Sequence, residues 1–282
     1  MTISRYRLLV LDLDGTLLDH KSELSPNTEA AVKKARAQGL KVTFATGRLF
    51  GDAIPYAQHL GLTLPLILNH GALIQTLAGE VLASWQIGSN SAQTLISIAR
   101  RTGCPCQLYS KGQLYLEKLA YWNQEYLKYS FTSPVIVPDL AATAAQGPEQ
   151  IDFLGEPEEL GRVKRIIEQE LGAAVQPTSS YRHLLEILPP GVSKGTAVEY
   201  LAAYLQIPLS ATVAVGDGYN DLEMILAAGL GVAMGNAPEE VQRQADHVTA
   251  PNSQDGLVLF LDWLLADDTF NFDNDSDEKV VV

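Results

Sequence analysis

The sequence predicts an α/β protein, a doubly wound parallel sheet into which a second, α+β domain is inserted. Three observations carry that expectation. Four apolar, β-rich runs, "YRLLVLDLD" (6–14), "LKVTFATG" (40–47), "PLILNHG" (65–71) and "SATVAVGDG" (210–218), end in polar residues or glycine. Runs so continuously hydrophobic suit parallel strands buried on both faces. Helical patterns lie between them, and alternation of strand and helix marks a doubly wound sheet. That rhythm stops after residue 71 and resumes at Ser193, which makes the stretch between them an insertion.

Between the first two runs, "SPNTEAAVKKARAQG" has Ser25 as N-cap, Pro26 at the first helical position and Gly39 as a stop. "GRLFGDAIPYAQHLG" predicts a helix interrupted near Pro55. "ALIQTLAGEVLASWQI" reads as a hairpin turning at Ala78-Gly79. A helix over Ser91–Arg101 follows, then one strand around "CQLYSKGQLYLE" and a weakly patterned stretch over 120–147. "EQIDFLG" predicts a strand, "EPEELGRVKRIIEQELG" a helix and "YRHLLEILPPG" a strand leading out. The remainder reads as helix "SKGTAVEYLAAYLQ", strand "ATVAVGD", helix "YNDLEMILAAG", short strands "LGVAMG" and "DHVTA", and a final helix "GLVLFLDWLLAD". The expected domains are therefore a discontinuous core over 1–82 and 187–266 and an inserted domain over 83–186, with an acidic tail over 267–282.

Composition narrows the function. The 282 residues are 46% hydrophobic and 19% charged, ordinary for a globular protein, and no apolar run approaches the ~20 residues of a membrane helix. The N-terminus places acids inside its apolar stretch, unlike a signal peptide, so a cytoplasmic protein is expected. A formal net charge of −13 excludes the basic footprint of nucleic-acid binding. It also means that an anionic substrate needs local positive charge from a metal or a placed lysine. The last sixteen residues hold six acids against one lysine, a net of −5 that leaves −8 elsewhere, and read as a disordered, solvated end. Cys104 and Cys106, the only cysteines, have no further ligands to complete a metal site and read as inert.

Ligands of doubly wound sheets bind beyond the carboxyl ends of the strands. Those ends read Asp12-Leu13-Asp14-Gly15-Thr16, Thr46-Gly47-Arg48 and Gly216-Asp217-Gly218-Tyr219-Asn220-Asp221, with Lys194 opening the helix that re-enters the core. On a strand, Asp12 and Asp14 would share one face. Such a cluster of acids is unfavourable without a cation, and hard oxygen donors with no His or Cys point to Mg²⁺. Asp12 and Asp14 can share the ion, with Asp217 as third ligand and Asp221 supporting it from behind. One carboxylate can attack phosphorus and the other serve as acid and base. Lys194 can neutralise phosphoryl oxygens, Thr46 and the N–H groups near Leu13 and Gly47 can hydrogen-bond them, and Asn220 can orient the phosphate.

These motifs resemble the haloacid dehalogenase superfamily of phosphatases: "DLDGTLL" its first motif, "FATGR" its second, "SKGTAVEYL" its lysine motif and "VAVGDGYNDLEMI" its acidic fourth motif. The resemblance covers roughly residues 6–82 and 187–265. It implies a Rossmann-like core with Asp12 as nucleophile, Asp14 as general acid/base, Thr46 and Lys194 as phosphate-binding catalytic residues and Asp217 as metal ligand. It also implies that the backbone carbonyl of Asp14 ligates the metal. The insertion resembles the type C2B cap of the Cof-like subfamily, and "GVAMGNAPEEVQRQADHVTAPNSQDGL" is typical of that subfamily's last stretch. One departure stands out: members usually read Asn-Gly-Ala after the third strand, whereas here His70-Gly71-Ala72 follows Asn69.

The implied activity is Mg²⁺-dependent hydrolysis of a small phosphate monoester, a sugar phosphate or related metabolite, through an aspartyl-phosphate. Its rivals are phosphomutase transfer between sugar hydroxyls and a phosphate-binding regulatory module without turnover. The expected partner is a small phosphorylated metabolite, with neither nucleic acid nor membrane, and the sequence does not address oligomeric partners. Among the remaining polar residues, Asn236 reads as the cap of the next helix and His183 as structural. Arg48 reads equally as a solvated charge or a site residue, and the aromatic "YLEKLAYWNQEYLKYSF" as packing within the insertion.

Overall fold

The computed structural model describes residues 5–128 and 130–266; the acidic tail lies outside the described residues. Contacts divide the chain into two compact units, one formed by residues up to 46, 56–66 and from 194, the other by 47–55 and 67–193.

A five-stranded parallel sheet is the centre of the first unit, in the order His247–Val248, Leu230–Ala233, Thr212–Gly216, Leu8–Leu11, Lys41–Phe44. Leu8, Leu9, Val10 and Leu11 are all fully buried, as their unbroken apolar run requires. Leu11 pairs with Val215 and Phe44, so the chain leaves all three central strands at one level. Strand pairing ends at Leu11, not at residue 14. Asp12 still donates its N–H to Val215 (3.0 Å), but the chain then closes a tight loop through Leu18 N–H to Leu13 O (2.8 Å). Asp12 and Asp14 therefore sit on a turn, and the two-residue repeat of a strand does not orient them.

The helix Pro26–Ala37 begins as its signals predict, with Ser25 Oγ accepting from Thr28 N–H at 3.1 Å and Gly39 beyond its end at φ +100°. Helix Phe50–His59 runs through Pro55 without the expected break. The proline forfeits one i→i−4 bond, but the first turn is anchored within the second unit. There the Asp52 carboxylate accepts from the N–H groups of Phe131 (2.7 Å) and Thr132 (2.9 Å). The third apolar run also departs from expectation: Leu66–Leu68 joins Leu73–Gln75 and Val81–Ser84 in a separate three-stranded sheet. The hairpin between the last two turns at Gly79, φ +90°, as predicted.

The second unit carries a six-stranded sheet ordered Gln176–Thr178, Leu184–Leu188, Gln150–Leu154, Cys106–Ser110, Gln113–Leu116, Val135–Ile136. The single strand expected around residues 106–117 is a hairpin, because Lys111 (φ 53°) and Gly112 (φ 73°) supply the two left-handed positions of a tight turn. Helices Ser89–Thr102, Leu140–Ala144 and Pro157–Glu170 cover one sheet face, where Leu95, Leu108, Ile151, Phe153, Val163 and Ile187 form an apolar core. The alternate residues are polar and equally buried: Gln107, Tyr109, Gln150, Asp152 and Glu186. Burial pushes both cysteine thiols up to about 12, in keeping with their inert reading. His183 stacks on Trp122 with ring centroids 4.6 Å apart, a packing role. Among the described residues no helix is long and apolar enough to cross a membrane.

Asp152 faces Glu186 across neighbouring strands and accepts from the amides of Gln150 (2.7 Å) and Gln107 (3.1 Å). Burial, and then the Glu186 charge, push it up to about 7. The folded chain thus keeps a proton that an unfolded chain releases near the ordinary carboxylate value. Stability from this group is present in acid and is lost as pH rises towards 7, by at most about 1.4 kcal/mol per pH unit. Asp152→Asn has no such proton, so its denaturation midpoint should fall less than that of wild type between pH 5 and 7. Parallel slopes for the two proteins would contradict the assignment.

Candidate active site

The first unit brings the strand-end residues together around one buried ammonium. Lys194 opens helix Lys194–Tyr204 and is 1% exposed; its Nζ donates to Asp12 Oδ1 and Asp221 Oδ1, each at 2.6 Å. The second oxygen of Asp221 accepts from the N–H groups of Asp217 (2.9 Å) and Gly218 (2.8 Å), bracing the turn that carries Asp217. Asp217 is held in turn by Thr16 Oγ1 (3.1 Å) and Asn236 Nδ2 (3.0 Å). Gly15, at φ +85°, makes the approach possible: a Cβ there would strike the Asp217 carboxylate. The close approach and the left-handed backbone together require glycine.

Oxygens of Asp12, Asp217 and Asp221 all lie within 4.8 Å of one another. Three carboxylates around one ammonium leave negative charge uncompensated, and the acidities record it. Burial, reinforced by Asp221, raises Asp12 well above the carboxylate range against the pull of Lys194. Burial and Asp221 also push Asp217 up to about 7. Burial alone would lower Lys194, but Asp12 and Asp221 outweigh it and keep the ammonium above its ordinary range. A set of hard oxygen donors with excess negative charge fits a divalent cation.

Of the residues singled out from sequence, Lys194 bonds Asp12 and Asp221, and Asp221 bonds Asp217, so that the four form one connected cluster. Asp14 is half-buried, and its carboxylate is not part of the trio; its backbone pairs with Leu18 in an isolated bridge. Leu13 is fully buried, and Thr46, 1% exposed, follows strand Lys41–Phe44. Asn220 lies half-buried in the turn Tyr219–Asp221, and Gly47 begins the second unit's share of the chain. Asn236 is not a helix cap: the next helix, Glu239–Gln244, starts after Pro238. Its amide instead bridges Gly15 O and Asp217 Oδ2, both at 3.0 Å, and its Oδ1 accepts from Asn252 N–H at 2.9 Å. Sequence reasoning missed this contact and that of Thr16. Their signals were present, an amide between glycine and a helix start and a hydroxyl directly after Asp-Gly, but neither names a partner some 19 or 201 residues away.

Comparison with known proteins identifies the family. A family model described as haloacid dehalogenase-like hydrolase matches residues 9–261. A protein of Serratia proteamaculans named HMP-PP phosphatase is 31% identical over 82% of this chain and 85% of its own length. A 5-amino-6-(5-phospho-D-ribitylamino)uracil phosphatase of Bacillus subtilis is 27% identical over 90% of this chain and 96% of its own. Among solved structures, a haloacid dehalogenase-like hydrolase from Bacteroides thetaiotaomicron superposes with a TM-score of 0.84 at 26% identity, covering 92% of this chain and 99% of the other. With the match spanning both ends of the acidic constellation, the chain belongs to the haloacid dehalogenase-like hydrolases.

Proposed function

We propose that the chain is a Mg²⁺-dependent phosphatase that hydrolyses a small phosphate monoester, a sugar phosphate or related cytoplasmic metabolite, through an aspartyl-phosphate on Asp12. The observation that carries this reading is the convergence of Asp12, Asp217 and Asp221 on Lys194. The names of the Serratia and Bacillus relatives, each a phosphatase of a small phosphorylated metabolite, support the same class.

Asp12 and Asp217 would hold the metal through their side chains and Asp14 through its backbone carbonyl, with Asp221 bracing the Asp217 turn. A bound Mg²⁺ supplies charge neutralisation and polarises the phosphoryl oxygens. The rest of the chemistry belongs to the chain. An Asp12 oxygen attacks phosphorus as the bond to the leaving oxygen breaks, and the Asp14 carboxyl gives that oxygen its proton. Asp14, now a carboxylate, takes a proton from the water that attacks the acyl phosphate. The bond from phosphorus to Asp12 breaks, restoring the carboxylate and releasing inorganic phosphate. Lys194 offsets charge on the phosphoryl oxygens, while Thr46 Oγ1, the N–H groups of Leu13 and Gly47, and Asn220 bind and orient the group. In this reading the core of 1–82 and 187–266 carries the chemistry, and the insertion over 83–186 is the domain that distinguishes substrates.

Asp12→Asn should reduce phosphate release from a panel of phosphorylated metabolites to background while the variant stays folded, because an amide is a poor nucleophile. Rates near those of wild type would remove Asp12 from the attacking role. Asp217→Ala should raise the Mg²⁺ concentration for half-maximal activity by about tenfold or more, as losing a metal contact does; an unchanged metal titration would take Asp217 out of the metal site.

A further inference from the structure

The second unit contains an unusual stretch of backbone that the proposed chemistry leaves unexplained. Asn69, His70 and Gly71 all have positive φ, at 48°, 53° and 102°. Non-glycine residues hold that conformation only where their surroundings over-determine it. The Asn69 side chain is not what holds it: the residue is fully buried, and neither its amide nitrogen nor its oxygen has a hydrogen-bond partner among the described residues. His70 is. Its Nε2 lies 2.6 Å from Glu186 Oε1, both side chains being at most 3% exposed. Glu186 also accepts from the Ser180 hydroxyl (2.8 Å) and N–H (2.7 Å), which fixes the carboxylate. Burial opposes its charge, but His70 and Ser180 outweigh burial and hold Glu186 below its ordinary range.

The imidazole so fixed lies directly against Gly47. A Cβ at residue 47 would collide with ring atoms Cε1 and Nε2, and Asn69 N–H reaches the carbonyl of Arg48 at 3.3 Å. The strained turn and the Gly47-Arg48 backbone are therefore clasped at two points. Neither could be read from the Thr46-Gly47-Arg48 motif, and the ring stands where the resembling subfamily carries asparagine.

We infer that His70, locked by Glu186, is a positioning residue whose ring sets the path of the Gly47-Arg48 backbone and, through the Thr46-Gly47 peptide, the orientation of the Gly47 N–H that the proposed function uses. This rests on the phosphatase reading for its effect on turnover, but the clasp itself does not.

The test is a double-mutant cycle between Gly47→Ala and His70→Ala, read in kcat and KM for p-nitrophenyl phosphate with Mg²⁺ and in melting temperature. Either single variant should lose about 10- to 100-fold in kcat/KM, with a raised KM carrying the larger share. Adding Gly47→Ala to His70→Ala should then cost less than about threefold, since the ring it would strike is gone. Glu186→Gln keeps an oxygen acceptor for His70 but loses the one for Ser180 N–H, so it should lose less than His70→Ala, while Glu186→Leu should match His70→Ala. If His70→Ala does not fold, His70→Gln, which can still donate to Glu186 but lacks the ring, takes its place. Additive losses, or a His70 variant with the kcat/KM of wild type, would overturn the inference. A wild type no faster than Asp12→Asn would refute the phosphatase reading instead. The melting cycle still judges the clasp in that case: Gly47→Ala should lower the transition in the wild-type background and not in the His70→Ala background, and an equal drop in both would overturn it.

Discussion

The contact on which the rest depends is a single ammonium, Lys194 Nζ, buried at 2.6 Å from two carboxylates. Removing either sign from such a pair leaves an uncompensated charge in the interior. The fold is arranged so that neither leaves. Parallel register sets Leu11 beside Val215, and both strands release their chains into the site at the same level. The helix carrying Lys194 starts there, so the three parts of the site come from segments far apart in the chain and meet only when the sheet forms. Asp221 does two jobs, one oxygen on Lys194 and the other on the N–H groups that shape the Asp217 turn. Charge balance and loop geometry are in this way a single constraint.

The constraint is asymmetric. One lysine does not offset three acids, and the raised acidities of Asp12 and Asp217 express the shortfall. A protein could remove the excess by replacing an acid with an amide, the group that Asn236 already presents to Asp217. Keeping the carboxylates costs stability, and the proposed reading, a site for a cation with one oxygen as nucleophile, supplies a reason for that cost. The second unit solves a like problem differently. Asp152 and Glu186 face each other on adjacent strands, Glu186 is paired with His70, and Asp152 keeps its proton to about 7. The second unit thus settles its buried acids within itself, with a histidine and a retained proton, whereas the first has one lysine for three carboxylates.

Much of this was legible in the sequence, and what was not shares one cause. Ser25, Pro26 and Gly39 bound a helix through contacts within a few residues, so their pattern was sufficient. Asp12, Lys194 and Asp217 were found because strand ends and helix starts converge in any doubly wound sheet. The extended reading of residues 12–14 failed because the turn is set by Gly15 approaching Asp217, which a local pattern does not contain. The helix through Pro55 survived because Asp52 is anchored on Phe131 and Thr132, residues distant in sequence. Leu66–Leu68 has the composition of a central strand yet pairs with the following hairpin, a choice that apolar content cannot decide. Asn236, Thr16 and the pair of His70 with Glu186 all depend on a partner that a single sequence does not name.

The central claim is that the acids around Lys194 converge because a divalent cation completes their charge balance. The most direct measurement is the unfolding transition of metal-free protein at neutral pH as Mg²⁺ is added, with Na⁺ at equal ionic strength as control. A cation held only by the folded chain should raise the transition steadily with concentration, by about 2.7 kcal/mol in stability at a hundredfold excess over its dissociation constant. A transition that responds to Mg²⁺ no more than to Na⁺ would contradict the account.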